Sequence, residues 1–121
     1  MRAVALLAAA LAACATPDTL VVDEPRAATE FAVAPYEFHE ECATLAPGER
    51  LDWRFEAQAP VTFQIYYKEG IAFISTVSRE EVRDGAGVFT APTGRKYCVR
   101  WDAGPQGALV DFRIRRLPPR P

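Results

Sequence analysis

The stretch His39-Glu40-Glu41-Cys42 gathers an imidazole, two carboxylates and a thiol into four consecutive residues, more reactive groups than any other part of the chain. Side chains alternate along an extended strand, so His39 and Glu41 share one face while Glu40 and Cys42 share the other. His39 and Glu41 are therefore the candidate metal ligands, although one imidazole and one carboxylate are a thin donor set for zinc or copper. Catalysis is harder to assemble. His39 is the only histidine. With no serine elbow and no HExxH, neither a hydrolytic triad nor zincin chemistry can be built. The expectation is a non-enzymatic protein without a cofactor.

A second kind of chemistry is aromatic stacking. Trp53, Tyr66, Tyr67 and Trp101 could in principle form a platform for a sugar. Trp53 and Trp101 fall on the apolar parity of their strands and read as core. Tyr66 has the outward parity and stands beside Lys68 and Glu69, so Tyr66 and Lys68 form the candidate binding surface. The glycines at 70, 85, 87, 94, 104 and 107 are scattered and make no phosphate-cradling run.

The elements that must position these groups read as strands. Leu51–Ala57 alternates apolar with charged residues, and Val61–Lys68 repeats the pattern with Val61, Phe63, Ile65 and Tyr67 on one side. Glu69-Gly70 signals a turn into Ile71–Ile74, which makes a hairpin. Ser78–Asp84 carries five charges and reads as loop. Val88–Thr90, Tyr97–Trp101 and Leu109–Arg115 are further strands, and Tyr36–Leu45 is a weaker candidate. About seven short strands without helical periodicity predict an all-β fold. Each strand keeps one polar face, which predicts an antiparallel β-sandwich of the immunoglobulin-like kind. Pro118, Pro119 and Pro121 close the chain as a proline-rich tail, 118–121, that cannot continue a central strand.

The N-terminus has an address. Met1-Arg2 precedes an apolar run, Ala3–Leu11, that is too short for a membrane span, which needs about 20 residues; it fits an export signal. The run ends in Leu11-Ala12-Ala13-Cys14, which resembles the bacterial lipobox. The resemblance implies that residues 1–13 are removed and that the Cys14 thiol accepts diacylglycerol. It implies stable attachment to membrane lipid, and Ala15 after the cysteine favours the periplasmic face of the outer membrane. Residues 14–29 read as a lipidated N-terminus and linker, stiffened by Pro17 and Pro25. Residues 30–117 read as the folded domain. An exported chain meets an oxidising compartment. With Cys14 taken by lipid, Cys42 and Cys98 are left to pair with each other.

Net charge is −2, or −3 once Arg2 is removed, too weak to argue for nucleic acid. Acids crowd Cys14–Leu45, where Arg26 is the one base, and arginines crowd the end at 113, 115, 116 and 120. The residues Glu41-Cys42, Phe63-Gln64-Ile65, Gly87-Val88-Phe89 and Tyr97–Asp102 resemble the strand motifs of the GOLD domain, the β-sandwich of emp24-type cargo receptors. That resemblance covers about residues 30–116 and implies a sandwich, a disulfide and a protein-binding role. Three functions follow as expectations: an envelope-anchored lipoprotein that contacts a protein or ligand, a periplasmic metal-handling module, or a carbohydrate-binding module.

Overall fold

The computed structural model describes residues 25–121. The expected signal, Cys14 and the segment Leu20–Val22 lie outside the described residues. Six strands follow in order: β1 (Pro25–Val33), β2 (Phe38–Leu45), β3 (Arg50–Glu69), β4 (Ala72–Thr90), β5 (Arg95–Ala103) and β6 (Ala108–Leu117). All pairings are antiparallel, and no helix occurs among the described residues. The fold class is the expected one.

The organising feature is the length of β3. Its first part pairs with β6 (Arg50↔Leu117 to Ala57↔Val110) and its second with β5 (Val61↔Ala103 to Tyr66↔Cys98). Between them lie Gln58, Ala59 and Pro60. Pro60 has no N–H to give to a ladder, so the strand turns a corner there. β4 follows β3 along its whole length through register shifts, two at the same corner and one between Ile65 and Tyr66, with Glu81 at φ 52° opposite the corner. β1 adds to the outside of β6 and β2 to the outside of β5. One curled sheet thus becomes two layers, β1-β6-β3-β4 and β2-β5-β3-β4, whose inner faces meet.

The inner faces carry the apolar half of each alternation. Trp53, Phe55, Val61, Phe63 and Ile65 of β3 meet Tyr97, Val99 and Trp101 of β5 and Val110, Phe112 and Ile114 of β6. Ring centroids of Trp53 and Phe63 lie 4.4 Å apart, and those of Trp101 and Phe112 lie 4.7 Å apart. Truncating Trp101 to alanine should cost about 3–5 kcal/mol, read as a fall in the denaturant midpoint at unchanged slope.

The described residues form six strands, close to the seven expected: Leu51–Ala57 and Val61–Lys68 join in β3, and β1 is added. Two boundaries need correction, since the hairpin return, the charged stretch and Val88–Thr90 are one continuous strand, β4. Ser78–Asp84 belongs to it: β4 is an edge strand, so Arg79, Glu80, Glu81, Arg83 and Asp84 stand in water and guard the edge. β1 begins at Pro25 and pairs with Arg115, so residues 25–29, read as tether, belong to the sheet.

Gly85 and Gly87 lie in β4 directly over aromatic rings. A Cβ at Gly85 would come within 2.9 Å of Phe55, and one at Gly87 within 2.9 Å of Trp53. Gly87→Ala should therefore destabilise by about 1–3 kcal/mol through overpacking, measured by chemical denaturation.

Candidate functional site

The reactive-looking cluster on β2 is placed by register. His39 pairs with Trp101 and Glu41 with Val99, so both point inward with those core residues. They stand at the open side of the sandwich, where β2 faces β1 without backbone pairing. His39 Nε2 lies 2.6 Å from Glu41 Oε2, and Arg26 Nη1 of β1 donates to Glu41 Oε1 at 2.9 Å. Phe31 of β1 covers the His39 ring at 4.1 Å. This is a polar clasp between the layers. A metal cation there would face the Arg26 guanidinium on the same carboxylate, so His39 and Glu41 do not make the metal site they suggested.

Burial pushes the Glu41 carboxyl up, but hydrogen bonds and charge from His39 and Arg26 outweigh it and hold the group below 4.5. Its folded value is the depressed one. The clasp therefore contributes its stability above about pH 4.5 and loses it as pH falls through the lower folded value. Glu41→Gln should cost about 1–2 kcal/mol at neutral pH and flatten the acid limb of the stability–pH curve.

On the opposite face of β2 and β5, Cys42 and Cys98 are directly opposed and joined by a disulfide. Glu40 reaches the same spot, within 4.8 Å of both sulfurs, but a disulfide offers no thiolate to a metal. Glu40 is engaged instead by Tyr66, whose hydroxyl donates to Oε1 at 2.6 Å. Burial first, and then Glu40, push the Tyr66 phenol up to about 12.

Tyr66 needs correction as a binding surface. Its parity is outward, but the Phe73 ring of β4 stacks on it at 5.1 Å and 3°, leaving it 2% exposed. Lys68 sits over the far ring, 5.0 Å from the Phe73 centroid. Trp53 and Trp101 are buried, so none of these three rings offers a face to a sugar.

The accessible chemistry lies elsewhere, at the end of the sandwich formed by the turns 34–37 and 104–107. β1 runs from Pro25, beside Arg115, to Val33, and the chain then turns to start β2. Tyr36 sits in that turn with a left-handed backbone, φ 60°. Its N–H donates to Gly104 O at 3.1 Å, Glu37 N–H donates to Ala34 O, and Ala103 N–H donates to Glu37 O. These bonds hold a conformation that costs a non-glycine residue about 1–2 kcal/mol. Gly107 completes the partner turn at φ 69°, where a Cβ would meet Val33 O at 2.8 Å.

Held this way, the Tyr36 side chain is 78% exposed. Next along β2, Phe38 is 51% exposed and carries the Arg100 guanidinium 3.7 Å from its ring centroid. Asp102 accepts two short bonds from Arg100, at 2.9 and 3.0 Å, and raises its pKa further. Asp102 also lines a cleft of about 320 Å³ with Pro60, Thr62, Gly104 and Pro105. An exposed tyrosine, a braced phenylalanine–arginine stack and an adjoining cleft are the residue types enriched where proteins bind proteins. In the sequence Tyr36 and Phe38 read only as part of a weak strand, Tyr36–Leu45, and not as a binding surface, because neither sits in a clear alternation.

The fold is shared with a solved structure, PliG of Aeromonas hydrophila, a periplasmic lysozyme inhibitor of g-type lysozyme. The likeness has a TM-score of 0.56 at 11% identity, over 77% of this chain and 84% of that one. A de novo designed double-stranded β-helix covers 77% of this chain and 97% of its own length, with a TM-score of 0.43 and 19% identity. No protein-family model matches the chain, and no curated protein sequence is similar to it. At such identities the likeness to PliG is one of β-rich fold.

A second ionic lock braces the end opposite Tyr36. Glu49, buried in the turn between β2 and β3, accepts from Ala46 N–H at 2.7 Å and from Arg116 Nη2 at 2.8 and 2.9 Å. The Arg116 bonds hold its carboxyl below the usual value against the opposing effect of burial.

Proposed function

We propose that this chain is a non-enzymatic lipoprotein of the bacterial envelope whose β-domain binds a protein partner through Tyr36, Phe38 and Arg100. One observation carries the binding surface: a strained tyrosine is fixed outward beside a rigid Phe38–Arg100 stack. Backbone strain of this kind is kept where the surrounding structure puts it to use. The GOLD-type resemblance and the fold shared with a protein inhibitor both support a protein-contact role.

The anchor rests on the lipobox. Cleavage after Ala13 and acylation of Cys14 would tether the domain by its Pro25 end and turn Tyr36 away from the bilayer. Mass spectrometry of the native protein should show a diacylglyceryl-modified Cys14 as first residue; a bare sulfur would remove the anchor.

PliG is an inhibitor of g-type lysozyme, which makes that enzyme the first partner to try. The chain should slow lysis of peptidoglycan by a g-type lysozyme, and Tyr36→Gly should relieve the inhibition. Unchanged lysis, with a cross-linked adduct to another protein at Tyr36, would keep the surface and change the partner.

A further inference from the structure

The β3–β4 hairpin ends in a group of apolar side chains that the domain itself does not use. Ile71 is 100% exposed, Phe73 57% and Ile74 38%. β5 stops pairing with β3 at Tyr66↔Cys98, and the residues beyond are paired only with β4, so the tip projects past its neighbours. Phe73 is held outward by its stack on Tyr66. Ile71 stands at the turn and Phe73 and Ile74 on opposite faces beside it, so the tip is apolar on both sides, and exposed apolar surface of this kind marks a contact surface.

Two observations say what covers it. The first is charge. Lys68, Arg95 and Lys96 line one small cleft at the base of the tip, while Glu69 is bridged by Arg95 at 3.4 Å and Glu40 is engaged by Tyr66. Three cations against these two carboxylates leave a positive surplus beside the apolar tip, which suits an anionic lipid surface. The second is position. Pro25 pairs with Arg115 at the end of the sandwich where Arg50, Thr90 and Leu117 meet. The turns 46–49 and 91–94 join that end directly to the end of β2 and the start of β5, beside the tip. The chain arriving from Cys14 enters at this same end. Eleven positions separate Cys14 from Pro25, a span of at most about 37 Å.

We propose that the tip Ile71–Ile74 inserts into the anionic leaflet that carries the acylated Cys14, as a second membrane contact. This rests on the lipid-anchor reading for its orientation. The two points of attachment fix which end of the domain faces the bilayer, so Tyr36 and Phe38 are presented away from it.

The test uses the mature chain from residue 14 with Cys14→Ser, so that neither an acyl chain nor the apolar run Ala3–Leu11 contributes. It should sediment with vesicles of phosphatidylethanolamine and phosphatidylglycerol, and much less with phosphatidylcholine alone. Ile71→Asp should weaken that binding at least about tenfold, and Lys68→Ala should weaken it only on the anionic vesicles. Because Ile71 touches nothing that would unfold the domain, its variant should keep the wild-type melting temperature. Absence of vesicle binding, or binding indifferent to Ile71→Asp, overturns the proposal. So does an Ile71→Asp variant that loses a protein adduct while keeping its lipid binding. A bare Cys14 in native material would instead sink the anchor, and leaves the vesicle result to be read on its own.

Discussion

Replacing Cys42 and Cys98 together by alanine should lower the stability of the domain by about 4 kcal/mol. The bond spans a sequence separation of 56, and closing a loop of that size removes about that much unfolded-chain entropy. For a domain of this size the loss is a large share of a total that is commonly about 5–15 kcal/mol. In melting temperature it should amount to roughly 15 °C or more. The effect should be sharpest at β2, an edge strand paired among the described residues with β5 alone. Beyond that ladder it is tied by the disulfide, the Arg26–Glu41–His39 clasp, the Tyr66–Glu40 hydrogen bond and the burial of Ala43 and Leu45. Losing β2 from the sheet also releases Phe38, so reduction should weaken partner binding along with the fold. Denaturant titrations of oxidised, reduced and doubly substituted protein would check this. A shift below about 1 kcal/mol would mean that restriction of the unfolded chain by the bond does not set the stability of the domain.

The second large effect separates function from folding. Tyr36→Gly removes a fully presented ring and at the same time relaxes a left-handed backbone that glycine adopts freely. Stability should stay level or rise by up to about 1 kcal/mol, since relief of strain is partly offset by the greater freedom of glycine when unfolded. Binding should fall by about thirtyfold, the loss of one interface anchor worth about 2 kcal/mol. Phe38→Ala should weaken binding to a similar degree, because it also strips the apolar support from Arg100. A Tyr36→Gly protein that melts higher and still binds at full strength would show that the tyrosine is ornamental.

The strand pattern was readable where one face is core and the other water. Leu51–Ala57, Val61–Lys68, Tyr97–Trp101 and Leu109–Arg115 show that alternation, and they became β3, β5 and β6. β4 was not readable. As an edge strand with exposed residues on both faces it need not alternate, and its charges imitate a loop. β1 was lost for a related reason: Pro25–Glu30 holds little apolar residue, and its contribution is Arg26 in the clasp and Phe31 over His39. Tyr66 shows the limit of parity. Position along a strand tells which face a side chain takes, but the covering Phe73 comes from a neighbouring strand whose register the sequence does not display. The cysteine pair was legible because reading Cys14 as the lipid-bearing residue leaves two thiols to join. Tyr36 was illegible because a positive φ on a tyrosine has no sequence signature; it arises from the hydrogen bond to Gly104, 68 positions away.

Site-directed photocross-linking of the full-length chain in intact cells puts the claim of a protein-binding end most directly at risk. A photoreactive residue at Glu37, between the two aromatic anchors, should give a discrete protein adduct that disappears in the Tyr36→Gly background. The same residue at Val88, half-exposed on the outer face of the other layer, should give none. Equal labelling from both positions, or an adduct at Glu37 that persists without the tyrosine, would contradict it.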